Sequence, residues 1–218
     1  SNCKVHVRRY KNSEAKFTIL FFHGNGEIVS DYNGLAEQFR RFGCEFIVCD
    51  YRGYGRSEGV PTLKSTLIDA STIYCYLKDN KVLKKKVCVM GRSLGSASAI
   101  ELCARFSEIA CCIIESGYAD PIPLVERRGL NVTNITSAEV ALFSNSEKIR
   151  MVKCPTLIMH GEMDSLISPE EAKINYKNAS SIHKKLAMLE GVGHNDIMMA
   201  RDNSYFSCLL SFFSQVFR

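Results

Sequence analysis

The sequence predicts an α/β architecture, with a mostly parallel central sheet flanked by helices. Two observations carry this. Short apolar runs recur along the chain, several without polar–apolar alternation, as strands buried on both faces require. Between them lie longer segments whose apolar residues return at helical spacing, so strands and helices alternate. The 218 residues suit one domain, 1–218, with one sizeable core, and no internal repeat, low-complexity tract or linker divides them.

The elements follow in order. Val5 to Tyr10 reads as an antiparallel edge strand. Phe17 to Phe22 is a buried strand, and Asp31 to Phe42 is a helix on the spacing of Leu35, Phe39 and Phe42. Glu45 to Cys49 is the next strand. Leu63 to Leu77 is a helix with Leu67, Ala70, Ile73 and Tyr74 on its apolar face. Val87 to Met90 and Ala110 to Ile114 are strands around a small-residue helix, Leu94 to Phe106. Thr156 to His160 and Lys185 to Leu189 are the last two strands. Before the second of these, Ser168-Pro169-Glu170-Glu171 reads as an N-cap, a proline at the first helical position and acids in the first turn. Tyr205 to Phe217 closes the chain as an apolar helix. Residues 116–154 (Ser116 to Cys154) exceed a plain crossover, and we expect a short helical insertion there, a minimal lid over one end of the sheet.

Composition removes several functions. Net charge is +5, but the densest basic run, Lys84-Lys85-Lys86, is short and reads as a solvated loop. No basic stripe with interleaved aromatics occurs, so nucleic acid is not an expected partner. The ten cysteines form no CxxC pair and no zinc-spaced Cys/His cluster, so neither a metal nor a cofactor is expected. Most lie in apolar runs and read as reduced core residues of a reducing compartment, hence a cytoplasmic localisation. Three glycosylation-type triplets, at Asn131, Asn134 and Asn178, are read as unused. No apolar run is long enough to span a bilayer. The chain opens without a methionine, so an N-terminal anchor outside it remains an expected route to a membrane. Arg127 and Arg128 read as solvated arginines on a helix end, with an anionic substrate or a membrane surface as the other reading.

The chemistry sits in "VCVMGRSLGSASAI", Val87 to Ile100. A serine hydroxyl is a poor nucleophile until a base takes its proton and an oxyanion hole receives the developing charge. A sharp strand-to-helix turn serves both needs: it projects Ser93 at the sheet edge and aims the Leu94 amide at the reacting oxygen. Small residues two before and two after, Gly91 and Gly95, let strand and helix approach. An acid and a histidine should follow in that order at later strand ends. Asp164 stands beyond "TLIMH" and His194 in the glycine-rich "GVGHND". His194 would move the proton, and Asp164 would orient and stabilise the imidazole. Glu162 and Asp120 remain rival acids. In "HGNG", His23 to Gly26, the Asn25 amide is the second oxyanion donor and His23 a brace; "CDYRGYGRSEG" reads as a loop lining the site. His160 is expected to order the acid loop, while His6 and His183 are read as surface residues.

On "HGNG", "DYRGYGRSEG", "GRSLGSASAI", "HGEMDSLISP" and "GVGHND", the chain resembles the alpha/beta-hydrolase superfamily from about residue 16 onward. In detail it looks like a small serine-hydrolase branch that includes protein depalmitoylases. The resemblance implies Ser93 as nucleophile, Asp164 as acid, His194 as base, and the Asn25 and Leu94 amides as oxyanion donors. It implies an acyl-enzyme mechanism on an ester or thioester, with a small-molecule or acylated-protein substrate and peripheral membrane contact. The chain departs from depalmitoylases in lacking a cysteine-rich N-terminal segment; only Cys3 lies near its start. A peptidase-like hydrolase and a non-catalytic binding protein on the same fold are the alternatives. The oligomeric state is not set by the sequence.

Overall fold

A computed structural model describes residues 3–126 and 136–217. Among the described residues seven strands form one sheet: β1 (Val7–Tyr10), β2 (Phe17–Phe22), β3 (Cys44–Cys49), β4 (Lys86–Arg92), β5 (Cys111–Glu115), β6 (Thr156–Gly161) and β7 (Lys184–Leu189). Their spatial order is β1-β3-β2-β4-β5-β6-β7. β1 runs antiparallel to β3, as expected of the opening segment, and every other neighbouring pair is parallel. β2, β3, β5 and β6 are buried along their whole length, which explains their unbroken apolar runs. β7, at the edge, is mostly half-buried and carries Lys184 and Lys185.

Helices cover both faces: α1 (Ala36–Arg40), α2 (Leu63–Asp79), α3 (Gly95–Arg105), α4 (Pro121–Glu126), α5 (Ser137–Phe143), α6 (Asn145–Lys148), α7 (Pro169–Asn178) and α8 (Ser204–Val216). The period-2 geometry of β2 divides its side chains between two cores. Ile19 and Phe21 pack in the core that holds Phe39 of α1 and Leu209 and Phe213 of α8. Leu20 and Phe22 pack in the other, with Ile73 and Tyr74 of α2, Ile100 and Leu102 of α3 and Ala172 of α7.

The helix expected over Asp31 to Phe42 is broken. The chain makes a 3₁₀ turn at Val29–Tyr32 and then the short α1. Asn33 and Gly34 stand between them, and both are weak helix formers. The N-cap at Ser168 is present, its side chain accepting from the Glu170 amide at the start of α7. Within residues 116–154 the described part holds α4, α5 and α6, a helical insertion as expected. Arg127, Arg128 and the triplets at Asn131 and Asn134 lie outside the described residues. The base of the insertion is tied by buried polar contacts. The Glu171 carboxylate accepts from the Ala119 amide at 2.9 Å, and the side-chain amides of Asn145 and Asn175 donate to the Tyr118 carbonyl at 3.0 and 2.9 Å.

Candidate active site

Ser93 follows directly on β4, which runs on to Arg92, two residues past the strand read from sequence. Its φ is +52°, in the left-handed region that costs a non-glycine residue about 1–2 kcal/mol. Three hydrogen bonds hold that conformation. The Ser93 amide donates to the Glu115 carbonyl at 2.8 Å, while the Ser96 amide and hydroxyl donate to the Ser93 carbonyl at 3.0 and 2.6 Å. A side chain at Gly91 would collide with the Gly95 carbonyl, and one at Gly95 with the Phe22 carbonyl. The two glycines therefore let α3 start against both β4 and the end of β2.

The acid and the histidine come from the neighbouring end of the sheet. Gly161 ends β6 so close to the Val192 and Gly193 carbonyls that a side chain there would overlap them. The Met163 amide then donates to the Val192 carbonyl at 2.9 Å, pinning the acid loop to the histidine loop. Across that contact His194 Nδ1 lies 2.8 Å from Asp164 Oδ2, and Nε2 lies 3.0 Å from Ser93 Oγ. The three side chains expected to converge are thus brought into one hydrogen-bonded line. Neither rival acid joins it. Glu162 is exposed, and the Asp120 carboxylate accepts from the Ser144 and Ser146 hydroxyls at 2.5 and 2.9 Å.

Asp164 is fully buried, which by itself raises a carboxyl pKa. Oriented donors outweigh the burial. His160 Nε2 lies 3.1 Å from Oδ2 beside the His194 contact, and Oδ1 accepts from the Leu166 and Ile167 amides at 2.9 and 2.8 Å. Together they hold the carboxyl well below the ordinary aspartate range, so it is charged when the imidazole needs it. His160 Nε2 also faces the Ile167 carbonyl at 2.9 Å. Both neighbours of that nitrogen are acceptors, which fixes the proton on Nε2. The expected loop-ordering role of His160 thus extends to a second donor on the acid.

The "HGNG" loop leaves β2 beside the serine turn, since Phe22 pairs in register with Gly91. His23 is a brace. Its ring nitrogens meet the Gly24 carbonyl at 2.8 Å and Asp50 at 3.1 Å. The "DYRGYG" loop supports it, with the Tyr51 hydroxyl donating to the His23 carbonyl at 3.0 Å and the Tyr54 hydroxyl to Asn25 Oδ1 at 2.5 Å. Among the described residues neither the Asn25 nor the Leu94 backbone N–H is spent on an internal acceptor. His183 is exposed as expected. His6 is not a plain surface residue: it is half-buried, 3.4 Å from Asp50, because β1 lies along β3.

One group escaped sequence reading. Arg92 and Glu115 are opposite in register at the ends of β4 and β5, and both are buried. A charge of each sign closing two adjacent apolar runs, "VCVMGR" and "CCIIE", is the signal that would have found them. Arg92 Nε lies 3.1 Å from Glu115 Oε1, and the Tyr205 hydroxyl donates to Oε2 at 2.6 Å.

Among the described residues no group of three or more His, Cys, Asp or Glu side chains is placed to hold a metal ion. No described helix is long and apolar enough to cross a membrane. All ten cysteines are free thiols.

The comparisons with known proteins agree with this architecture. The family model described as serine aminopeptidase, S33, matches residues 13–132, more than half of the chain. The human alpha/beta hydrolase domain-containing protein 17B is 32% identical over 206 residues, covering 92% of this chain and 67% of its own length. Protein bem46 of Schizosaccharomyces pombe is 28% identical over 212 residues, covering 94% of this chain and 70% of its own. Among solved structures, the Pyrococcus furiosus esterase Pf2001 superposes with a TM-score of 0.81 at 20% identity, over 99% of this chain and 88% of that one. A mostly parallel seven-stranded sheet, the serine turn at its edge and these matches together make the chain a member of the alpha/beta-hydrolase family.

Proposed function

We propose that this hydrolase cleaves an ester or thioester through an acyl-enzyme on Ser93. The observation that carries the reading is the His194 imidazole, 3.0 Å from Ser93 Oγ on one side and 2.8 Å from Asp164 on the other. His194 Nε2 takes the hydroxyl proton as Oγ attacks the acyl carbon, and Asp164 stabilises the imidazolium. The oxyanion of the tetrahedral intermediate is received by the Asn25 and Leu94 amides. Collapse expels the alcohol or thiol, which leaves with the proton from His194. A water then attacks the acyl-enzyme and gives His194 its proton, which His194 returns to Ser93 Oγ as the acid leaves. The substrate is a small-molecule or acylated-protein acyl donor, and no cofactor enters the cycle.

The test is labelling by a fluorophosphonate probe together with hydrolysis of nitrophenyl esters of graded chain length. Wild-type protein labels and turns over, and Ser93→Ala, correctly folded by circular dichroism, does neither. Labelling that survives Ser93→Ala removes Ser93 from its role. The description of the matching family model gives one reason to include a second arm, aminoacyl nitroanilides. Turnover of these in preference to esters makes the chain a peptidase. Neither labelling nor turnover by the folded wild type favours a binding protein on the same fold.

A further inference from the structure

We propose that Arg92 is a positioning residue whose guanidinium fastens the loop carrying His194 to the loop carrying Asn25. The inference rests on the acyl-transfer reading above. Arg92 is 7% exposed and sits behind the serine turn. Its Nη2 donates to the backbone carbonyl of His194 at 3.0 Å and to Asn195 Oδ1 at 3.3 Å. Its Nη1 meets Glu27 Oε1 at 2.6 Å, and its Nε meets Glu115 Oε1 at 3.1 Å. Glu27 passes the link onward: Oε2 accepts from the Gly24 amide at 2.8 Å and from the Tyr32 hydroxyl at 2.6 Å. Gly24 is bonded directly to Asn25. One planar fork therefore joins the ends of β4 and β5, the loop after β2 and the loop after β7.

Stability alone is a poor reason for this cluster. Removing the Arg92 guanidinium and the Glu115 carboxylate from water, with Glu27 half-buried beside them, is costly, and a well-packed apolar group of similar volume often does as well. What the guanidinium supplies is geometry. Nη2 holds the His194 carbonyl and Asn195 Oδ1 by directed hydrogen bonds, while Nη1 and Nε stand in ion-pair contact with Glu27 and Glu115. Two of the groups it holds, the His194 carbonyl and, through Glu27, the Gly24 amide, are backbone of the loops that deliver the base and one oxyanion donor. A displacement of about 1 Å in such groups costs roughly 10²-fold in rate. A lysine would keep the charge but, with one compact ammonium, lose the fork.

The protein also offers access for a rescue experiment. A cleft of about 290 Å³ is lined by Arg92, Glu27, Tyr32, Asn195 and Met199, and Met199 is 82% exposed at its rim. A small guanidinium ion can therefore reach the space left by truncation.

The experiment measures kcat and KM for a nitrophenyl ester, with the thermal midpoint, for wild type, Arg92→Lys and Arg92→Ala. Arg92→Lys should lose roughly 30- to 100-fold in kcat, with KM within about two-fold, because the reacting groups shift while the acyl site does not. Added guanidinium at non-denaturing concentration should restore roughly ten-fold of the kcat lost by Arg92→Ala, and Arg92→Lys should not respond. An Arg92→Lys kcat within two-fold of wild type overturns the assignment. So does a guanidinium effect that raises the thermal midpoint of Arg92→Ala and leaves kcat unmoved. If both arginine variants fail to fold, Glu27→Gln carries the test, since it weakens the link to the Asn25 loop and spares the bond to His194. Roughly ten-fold lower kcat at unchanged KM supports the proposal, and full activity overturns it. An inactive, unlabelled wild type overturns the acyl-transfer reading and this inference with it; an active wild type with an indifferent Arg92→Lys overturns only the inference.

Discussion

Two buried carboxylates at neighbouring strand ends have been driven in opposite directions. Asp164, beyond β6, and Glu115, closing β5, both have fully buried side chains. Burial pushes each pKa up. For Asp164, His160, His194 and two backbone amides reverse the push, and the carboxyl ends well below its ordinary range. For Glu115, burial outweighs Arg92 and the Tyr205 hydroxyl, and the pKa ends above the ordinary glutamate value. Its guanidinium is shared with Glu27, whose charge raises Glu115 further. Two amides and two imidazoles converge on Asp164; on Glu115 one hydroxyl and part of one cation do. The number of donors aimed at a carboxylate, more than its depth, decides which way its pKa moves.

The comparison can be broken most forcefully at Asp164. Asp164→Asn should lower kcat by about 10³- to 10⁴-fold at unchanged fold, because the amide neither fixes the tautomer of His194 nor stabilises its cation. Steady-state ester hydrolysis checks this, and a loss below ten-fold would mean that the contact is structural. Next comes His160→Leu, which removes one donor from Asp164. It should cost roughly 1.5–3 kcal/mol of stability in denaturant unfolding, the range for a hydrogen bond to a charged group. On the other side, Tyr205→Phe leaves Glu115 Oε2 without its donor and should cost roughly 1–3 kcal/mol by the same measurement.

The sharpest contrast is in pH dependence, though each slope is small. The folded pKa of Asp164 is below its unfolded one. Its contribution is therefore complete above the ordinary aspartate value and disappears as pH falls through the folded pKa. The folded pKa of Glu115 is above its unfolded one, so this group weakens the fold as pH rises through and past the ordinary glutamate value. In unfolding series across the acid range, Asp164→Asn should flatten the rise of stability with pH, and Glu115→Gln should steepen it. Shifts of the same sign in both variants would end the contrast.

The same two carboxylates mark what was legible beforehand. Asp164 could be read from sequence because its role is fixed by chain order: serine, then acid, then histidine, each just past a buried run. The serine turn was legible because two backbone approaches at Gly91 and Gly95 leave no room for a side chain. The five inner strands were legible from burial on both faces, while β1 and β7 at the edges are mostly half-buried. Glu115 and Arg92 were not, since each looks like the polar stop of an apolar run until register sets one against the other. The sequence places His160 in the acid loop, but its contact with the acid depends on how that loop turns back at Ile167. The break between Val29–Tyr32 and α1 was missed because apolar spacing at Leu35, Phe39 and Phe42 outvoted Asn33-Gly34.

The serine and histidine that meet at 3.0 Å are 101 positions apart along the chain. Between them lie three strands: β5 must pair with β4, β6 with β5, and β7 with β6 before the histidine loop has anywhere to rest. Pairings this distant are closed late and slowly. Refolding followed by far-ultraviolet dichroism should accordingly run ahead of refolding followed by turnover, which makes enzymatic competence a clock for the final docking of the last-made third of the polypeptide.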